Sequence, residues 1–387
     1  MNITGIITEY NIFHNGHKYQ IDEIKKHSDA VIAVMSGSFV QRGDVAITDK
    51  WSRAKTALSG GVDLVIELPV CYVLNAAPNF ATGGINILNA LGVVNNICFG
   101  SESGSIDELM SAAELLENEN SEISEKIKKY VMGGMSYPNA LTKAYSALIP
   151  SDILSEPNNI LATEYIRALI RSDSKIKPMT VKRHKAGYHD RNLYQNIASA
   201  TKLREMNRNN ENINDFIPYK LEDINCDIPY DISNLDSAII SKLRLMTAED
   251  LQNISEVTEG IENRILSSAN MSYSFETLVE NVKNKRYTTS KIRRMIISAL
   301  IDFTKDIYSP MPQYIRILGM NKVGMTILKQ AKGICKVPII TKTADFKEQS
   351  PQFNLDVRAT NIAMLCNPIP THRIGNADLK KSPIIMK

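Results

Sequence analysis

Residues 3–20 read ITGIITEYNIFHNGHKYQ, an apolar run followed by a polar turn in which His14 and His17 flank Gly16. A short run rich in Ile and Thr has the character of a buried strand. The HKYQIDEIKKH stretch that follows has helical period, with Ile21 and Ile24 on the inward face. Three readings of the histidine pair compete: half of a metal site, a phosphate-binding turn between strand and helix, or a solvated loop. A polar turn of this kind is expected to carry little core packing, so the choice rests on what the neighbouring segments build.

Those segments alternate. AVIAVMSG is a second strand, WSRAKTALSGG a helix with a glycine stop, DLVIELP a third strand, FATGGINILNALG a helix and NNICFGSE a fourth strand. Continuous Val/Ile runs separated by helical periods are the pattern of a parallel sheet covered on both faces. The expected fold is a doubly wound, Rossmann-like α/β domain, whose ligands bind at the carboxyl ends of the strands. The histidines lie at such an end, as do SGSFVQRGD after the second strand and Gly100-Ser101-Glu102 after the fourth.

From about Asp107 to Asp173 the pattern is helical. PMTVKRH is then a short strand that leads through AGYHD into IASATKLREM, a Ser/Thr-capped helix start. The polar segment NRNNENINDFIPYKLEDINCDIP breaks the periodicity and reads as a boundary. Beyond it SAIISKLRLM, IENRILSSA, SFETLVENVKN, SKIRRMIISALI and GMTILKQAKG are all helical in period. The expectation is an α/β domain over residues 1–205 and a mainly helical one over 206–387.

Composition bounds the partners. The chain has 387 residues, 43% of them apolar and 22% charged, as in globular proteins of two or three domains. Its net charge of +3 means that a nucleic acid has to be met by a local basic patch. Cys71, Cys98, Cys226, Cys335 and Cys366 are odd in number and never form a C-x-x-C pair, which argues against disulfides and structural zinc and fits a reducing cytosol. No leader is expected, and the best apolar stretch is broken by Asp63, Glu67 and Pro69. The expected location is cytoplasmic.

The metal reading of the histidines needs further ligands, and no H-E-x-x-H or Cys/His cluster supplies them. No resident metal site is expected. The solvated-loop reading leaves the glycine and the strand-to-helix position unexplained. The phosphate reading accounts for both, because such a turn aims backbone N–H groups and the positive helix end at an anion. Gly16 admits close approach, and the imidazole N–H groups stabilise charge developing on phosphate. Neither G-x-x-x-x-G-K-[ST] nor G-x-G-x-x-G occurs at the turn.

H-N-G-H on the first strand-to-helix turn resembles the H-x-G-H signature that nucleotidyltransferases share with class I aminoacyl-tRNA synthetases. That superfamily's second element, Ser-Ser-Thr-x-Ile-Arg, is matched by Ser199-Ala200-Thr201-Lys202-Leu203-Arg204, with alanine for one serine. The stretches EYNIFHNGH, AVMSGSFVQRGD, KWSRAKTALSGGVDLVIELP, FGSE, EPNNIL, KRHKAGYHD and IASATKLR resemble, in order, the bacterial tRNA(Met) cytidine acetate ligases. KRYTTSKIRRM and VPIITK extend the likeness over nearly the whole chain. Ile12 stands where that family's pattern has proline, and Asp44-Val45 where it has Glu-Pro.

The resemblance implies an ATP-dependent, tRNA-modifying ligase. Acetate attacks the α-phosphate of ATP, giving acetyl-adenylate and diphosphate, and the wobble cytidine of elongator methionine tRNA then takes the acetyl group. On this reading 1–205 is the nucleotidyltransferase-like ATP-binding domain and 206–387 the tRNA-binding one. His14 and His17 are catalytic. ATP is held by the turn Ile7, Thr8, Glu9, Tyr10, Asn11, Ile12, Phe13, His14, Asn15, Gly16, His17, Lys18, Tyr19 and Gln20, with Gly100, Asn158 (Asn159 its close rival), Arg183, Ser199, Thr201 and Arg204. Mg²⁺ is expected with the ATP, and Glu9, Asp44 and Glu102 are the carboxylates that can meet it, unless they are structural. The densest cationic run outside the first domain, Lys283, Lys285, Arg286, Lys291, Arg293 and Arg294, with Tyr287 to stack on a base, is the expected tRNA surface. A solvated helix face is the competing reading of that run, and Lys182, Arg183 and Lys185 are the fallback surface. Two other functions stay open: adenylation of a small phosphate-bearing metabolite, and tRNA binding with a vestigial nucleotide site.

Overall fold

The computed structural model describes residues 1–183, 196–209, 211–221, 229–258 and 260–387. Residues 184–190 of KRHKAGYHD, with Lys185, and Cys226 in the polar segment lie outside the described residues. The strands, in chain order, are β1 (Ile3–Thr8), β2 (Ala30–Ser36), β3 (Phe39–Val40), β4 (Asp44–Val45), β5 (Leu64–Leu68), β6 (Asn96–Ser101), β7 (Lys177–Lys182), β8 (Ile315–Met320), β9 (Ile339–Ile340) and β10 (Ile384–Ile385).

The sheet runs β10-β8-β5-β2-β1-β6-β7, with β9 beside β8. From β5 to β7 every pairing is parallel. The order therefore reverses direction at β1, which has β2 on one side and β6 on the other. Ligand crevices of open parallel sheets form at such a reversal.

Alternation along β2 divides the core. Ala30, Ile32 and Val34 face a cluster with Ile85 and Leu88 of the helix Ala77–Leu91. Val31, Ala33 and Met35 face Ile21 and Ile24 of the helix Asn15–Lys25, and Ala54 and Ala57 of the helix Lys50–Ser59. Both faces are thus covered, and β2 and β5 are buried throughout, as their unbroken apolar runs require. Among the described residues no helix is long and apolar enough to cross a membrane.

The sheet draws on both sides of the polar segment that the sequence suggests as a boundary. β8, from the mainly helical half, lies antiparallel to β5. A buried charge cluster joins them. Lys50 Nζ lies 2.6 Å from Glu67 Oε1 of β5 and 2.8 Å from Asp378 Oδ1, while Arg316 Nη1 of β8 lies 3.2 Å from Glu67 Oε2 and 2.5 Å from Asp378 Oδ1. Burial opposes the charge on Asp378, but Lys50 and Arg316 outweigh it and hold its carboxyl below the usual range. Two cations and two anions balance, which is what makes four buried charges tolerable.

A second charged contact involves two arginines of the expected tRNA surface. Arg294, on the helix Thr289–Leu300, is buried and grips Glu256 with Nε at 2.6 Å and Nη2 at 3.0 Å, while its Nη1 donates to the Gln41 carbonyl at 3.2 Å. Arg293 donates from Nε to the Gly43 carbonyl at 2.9 Å, pairs with Glu276 at 2.6 Å and Asp44 at 3.3 Å, and lies over the Phe275 ring. Gly43 has φ +73, and a Cβ there would come within 2.7 Å of both Arg293 Cβ and Arg294 N. These two arginines fasten the β3–β4 hairpin to the helical half. They are not open to a polyanion, because protein acceptors already hold their guanidinium groups.

Replacing Arg294 by alanine would leave the Glu256 carboxylate, itself largely buried, without its partner. Arg294→Ala is expected to lower the unfolding free energy by about 3–5 kcal/mol, the usual cost of breaking a buried pair on one side. Urea unfolding of the variant measures this directly, and a loss under 1 kcal/mol, the range of exposed pairs, would place the pair on the surface.

Candidate functional site

The crossing from β1 to the first helix is better packed than its composition suggests. Tyr10, Ile12 and Phe13 are buried. Tyr10 and Phe13 join the cluster of Ile6 and Ile21, and Ile12 packs with Ile47, Leu203 and Ile213. The Asn11–Ile12 peptide is cis. Carbonyls of the crossing and the Asn11 side chain find partners. Arg53 Nη1 donates to the Glu9 carbonyl at 2.6 Å, Arg204 donates to the Asn11 carbonyl, and Ile47 N donates to Asn11 Oδ1 at 2.7 Å.

His14 caps the helix Asn15–Lys25 with its side chain. Gly16 N donates to His14 Nδ1 at 3.0 Å, and His14 N donates to His17 Nδ1 at 3.2 Å. The amides expected to meet an anion directly are therefore taken by the imidazoles. The two rings stack, with centroids 3.8 Å apart and planes 21° from parallel. A Cβ on Gly16 would lie 2.9 Å from His14 Cε1, so glycine is what lets the ring fold back over the helix start.

Each Nδ1 accepts from a backbone N–H, so a neutral ring carries its proton on Nε2. The electrostatics favour that neutral form. Burial, Arg183 and Arg204 push the His14 pKa down to about 4. Burial, His14 and Arg183 hold His17 well below its ordinary value. Two uncharged N–H donors result, each backed by a polarising amide.

Both rings open on a cavity of about 260 Å³, also lined by Gly16, Tyr19, Gln20, Gly100, Glu102, Asn158, Val181, Lys182, Arg183, Ile197, Ala198 and Ser199. It lies between the carboxyl ends of β1 and β6, at the reversal of the strand order. Five residues of the Ile7–Gln20 turn line it: His14, Gly16, His17, Tyr19 and Gln20. The others build the turn. Ile7 lies against Gly84, Asn15 Nδ2 donates to the Asn196 and Asp215 carbonyls, and Lys18 pairs with Asp22.

Of the two candidate asparagines, Asn158 lines the cavity. Asn159 is buried and its Oδ1 accepts from the amides of Glu102 and Ser103 at 2.9 and 3.1 Å. Ser199 caps the helix Ala200–Arg208 by accepting from Lys202 N at 3.2 Å. Thr201 and Arg204 stand behind the lining, with Arg204 Nη2 donating to Thr201 Oγ1 at 3.1 Å. The lining residues Val181, Ile197 and Ala198 carried no signal beyond their place beside Arg183 and Ser199, whereas Lys182 belongs to the fallback basic surface.

The three candidate carboxylates each have protein partners. Glu9 Oε1 accepts from Gln41 N at 2.6 Å, Asp44 pairs with Arg293, and both Glu102 oxygens are engaged by Asn158 and Asn159. Among the described residues no group of three His, Cys, Asp or Glu side chains is placed to hold a metal ion. In the expected tRNA surface, Lys283, Lys285 and Arg286 are exposed, while Lys291 is half-buried 5.0 Å from the Tyr287 ring centroid.

Residues 1–378 match the HIGH nucleotidyl transferase family, and the chain belongs to that class. Over its whole length, and all of theirs, it is 40% identical to the tRNA(Met) cytidine acetate ligase of Clostridium novyi and 38% to that of Acetivibrio thermocellus. The crystal structure of Thermotoga maritima TmcAL bound with alpha-thio ATP matches it with a TM-score of 0.91 at 32% identity, each chain fully covered. The chain is a member of the tRNA(Met) cytidine acetate ligase family.

The histidine electrostatics yield a pH prediction. An unfolded imidazole takes its proton near 6.5, whereas folded His14 takes it only near 4. The unfolded state therefore binds more protons between those values, and His14 makes the fold less stable as pH falls through that window. The His14 Cε1–H resonance is expected to keep its neutral position at pH 6.5 and to move only toward pH 4. Titration with a midpoint at 6.5 would contradict the neutral-donor arrangement.

Proposed function

We propose that this chain activates acetate with ATP and transfers the acetyl group to the wobble cytidine of elongator methionine tRNA in the cytoplasm. The observation that carries the reading is the stacked pair of neutral imidazoles at the sheet's switch point, with both Nδ1 atoms engaged and both Nε2–H groups left to donate. Full-length similarity to ligases of that name supports the choice of substrates.

In the first step an acetate oxygen attacks the α-phosphorus while the bond to the bridging oxygen breaks and diphosphate departs. Such a reaction needs positioning and neutralisation of charge more than covalent help. His14 and His17 donate from Nε2 to phosphate oxygens as charge builds there. Arg183 and the capped start of the helix at Ser199 add positive potential. Arg204 braces the turn through the Asn11 carbonyl, and its guanidinium is assigned to the departing diphosphate. Magnesium would come with ATP as its counter-ion and would neutralise charge on the departing diphosphate, and Glu9, Asp44 and Glu102 are the carboxylates near enough to meet it. In the second step the cytidine amine attacks the acetyl carbonyl, AMP leaves and the amine loses a proton.

Incubation with ATP, acetate and bulk tRNA is expected to give acetylcytidine in the nucleoside mass spectrum. Slow acetyl-adenylate formation is expected without tRNA. Formation of neither product overturns the reading. His14→Asn is the informative variant, because asparagine keeps an N-cap acceptor where alanine would cost about 1 kcal/mol of helix stability. It is expected to slow adenylate formation on the order of a hundredfold or more, as for loss of a preorganised donor. A near wild-type rate would remove His14 from the chemistry.

For the RNA we assign Lys283, Lys285 and Arg286, the exposed members of the basic run. Lys285→Ala/Arg286→Ala is expected to weaken tRNA binding and to flatten its salt dependence by about one unit of slope per lost phosphate contact. Adenylate formation is expected to be unchanged. An unaltered slope moves the RNA surface to Lys182 and Arg183 at the cavity mouth.

A further inference from the structure

Glu102 and Asn158 form a contact that the chemistry above does not use. Glu102 follows β6, and its carboxylate meets the start of the helix Pro157–Arg171. Asn159 N donates to Glu102 Oε2 at 2.8 Å, and Asn158 Nδ2 donates to Glu102 Oε1 at 2.5 Å. The clamp is reciprocal, since the Glu102 amide donates to Asn159 Oδ1 at 2.9 Å. Asn159 is fixed in turn by donating from Nδ2 to the Asp152 carbonyl at 3.1 Å, and it is fully buried. A carboxylate at a helix start is stabilised by the helix dipole, so helix capping alone would explain Glu102. It would not explain why Glu102 and Asn158 both line the cavity.

A carboxylate accepts hydrogen bonds and donates none, so the Asn158 amide has only one orientation that satisfies it. Nδ2 faces Glu102, and Oδ1 is left as the acceptor for whatever fills the cavity. We propose that Glu102 is a positioning residue that sets the polarity of Asn158, so that the site selects a nucleoside presenting a hydrogen-bond donor there. The inference rests on the reading of this cavity as the ATP site. Two donors of ATP have this chemistry, the adenine N6 amine and a ribose hydroxyl. A site built around one hydrogen bond rejects the analogue lacking it, because the buried polar group is then left unpaired.

Glu102→Gln separates polarity from capping. Glutamine offers one acceptor oxygen and one NH₂ in place of two acceptors. With its oxygen on Asn159 N, its NH₂ faces Asn158, whose amide then turns and presents Nδ2 to the cavity. The test is equilibrium binding of ATP, inosine triphosphate, 2′-deoxy-ATP and 3′-deoxy-ATP to the full chain, without acetate or tRNA, alongside thermal unfolding. In the wild type at least one analogue is expected to bind tenfold or more weaker than ATP. In Glu102→Gln that ratio is expected to fall toward one, with ATP itself weakened. Relief confined to inosine triphosphate identifies the N6 amine as the donor, and relief confined to a deoxy analogue identifies that hydroxyl. A uniform loss across all four nucleotides, or unchanged ratios, overturns the inference and leaves Glu102 a helix cap. If Glu102→Gln does not fold, Asn158→Ala leaves the Glu102–Asn159 clamp in place and must abolish the same discrimination, and retained discrimination there also overturns it. A wild type that binds none of the four refutes the ATP site itself, an outcome distinct from the failure of Glu102 alone.

Discussion

Two hydrogen bonds from backbone amides to imidazole nitrogens, Gly16 N to His14 Nδ1 and His14 N to His17 Nδ1, organise the active end of this fold. A helix start leaves amides without partners, and such amides commonly hold phosphate directly. Here the imidazoles stand between amide and ligand. Each amide fixes the tautomer of one ring and polarises it, so that the positive helix end is relayed outward through Nε2–H. A glycine loop could not do this, because its amides would meet the phosphate with no side chain between. His14 is at once the helix cap and a lining residue of the cavity.

The relay works only if the rings stay neutral, and their surroundings see to that. A second positive charge on a buried ring beside Arg183 would be costly both in desolvation and in repulsion. The stacked geometry points the same way, because two imidazolium rings 3.8 Å apart would repel. Rigidity comes from outside the turn. Arg53 and Arg204 hold its carbonyls, and Tyr10, Ile12 and Phe13 anchor it in two separate apolar clusters.

Much of this was legible in the sequence where the signal was periodic. β1, β2, β5 and β6 follow from unbroken apolar runs, and the site follows from H-N-G-H at a strand end. β8 was harder to read, because YIRILGM, although set off by Pro310 and Pro312, is a lone apolar run among segments of helical period. The better clue was Glu67, a carboxylate between Ile66 and Leu68 in a strand buried on both faces. A charge in that position needs a buried partner, and Lys50, Arg316 and Asp378 supply the balance. Their pairing is long-range, and no spacing rule reveals it. Likewise the choice between Asn158 and Asn159 follows from which side chain the helix start turns inward, a property of three dimensions.

The basic run shows how a helix divides a dense set of cations between buried and exposed positions. KNKRYTTSKIRRM reads as one patch, yet helical period sends its members to different environments. Ile292, Met295 and Ile296 face the core, whereas Arg294, two residues from Ile292 and from Ile296, lies on another side of the helix and is buried there against Glu256 and the β3–β4 hairpin. A buried guanidinium needs fixed acceptors, and Glu256 and the Gln41 carbonyl provide them. Lys285 and Arg286 precede the helix and escape that constraint. Within a run of cations the residues outside the helical period are thus the ones free to meet a polyanion, while those inside it fasten the helix to the β3–β4 hairpin. Loss of Arg294 would loosen the helix from the hairpin, so a change in RNA binding on its loss would not by itself mark a phosphate contact. Stability and the salt slope therefore have to be read together before any cation in this run is assigned to the RNA.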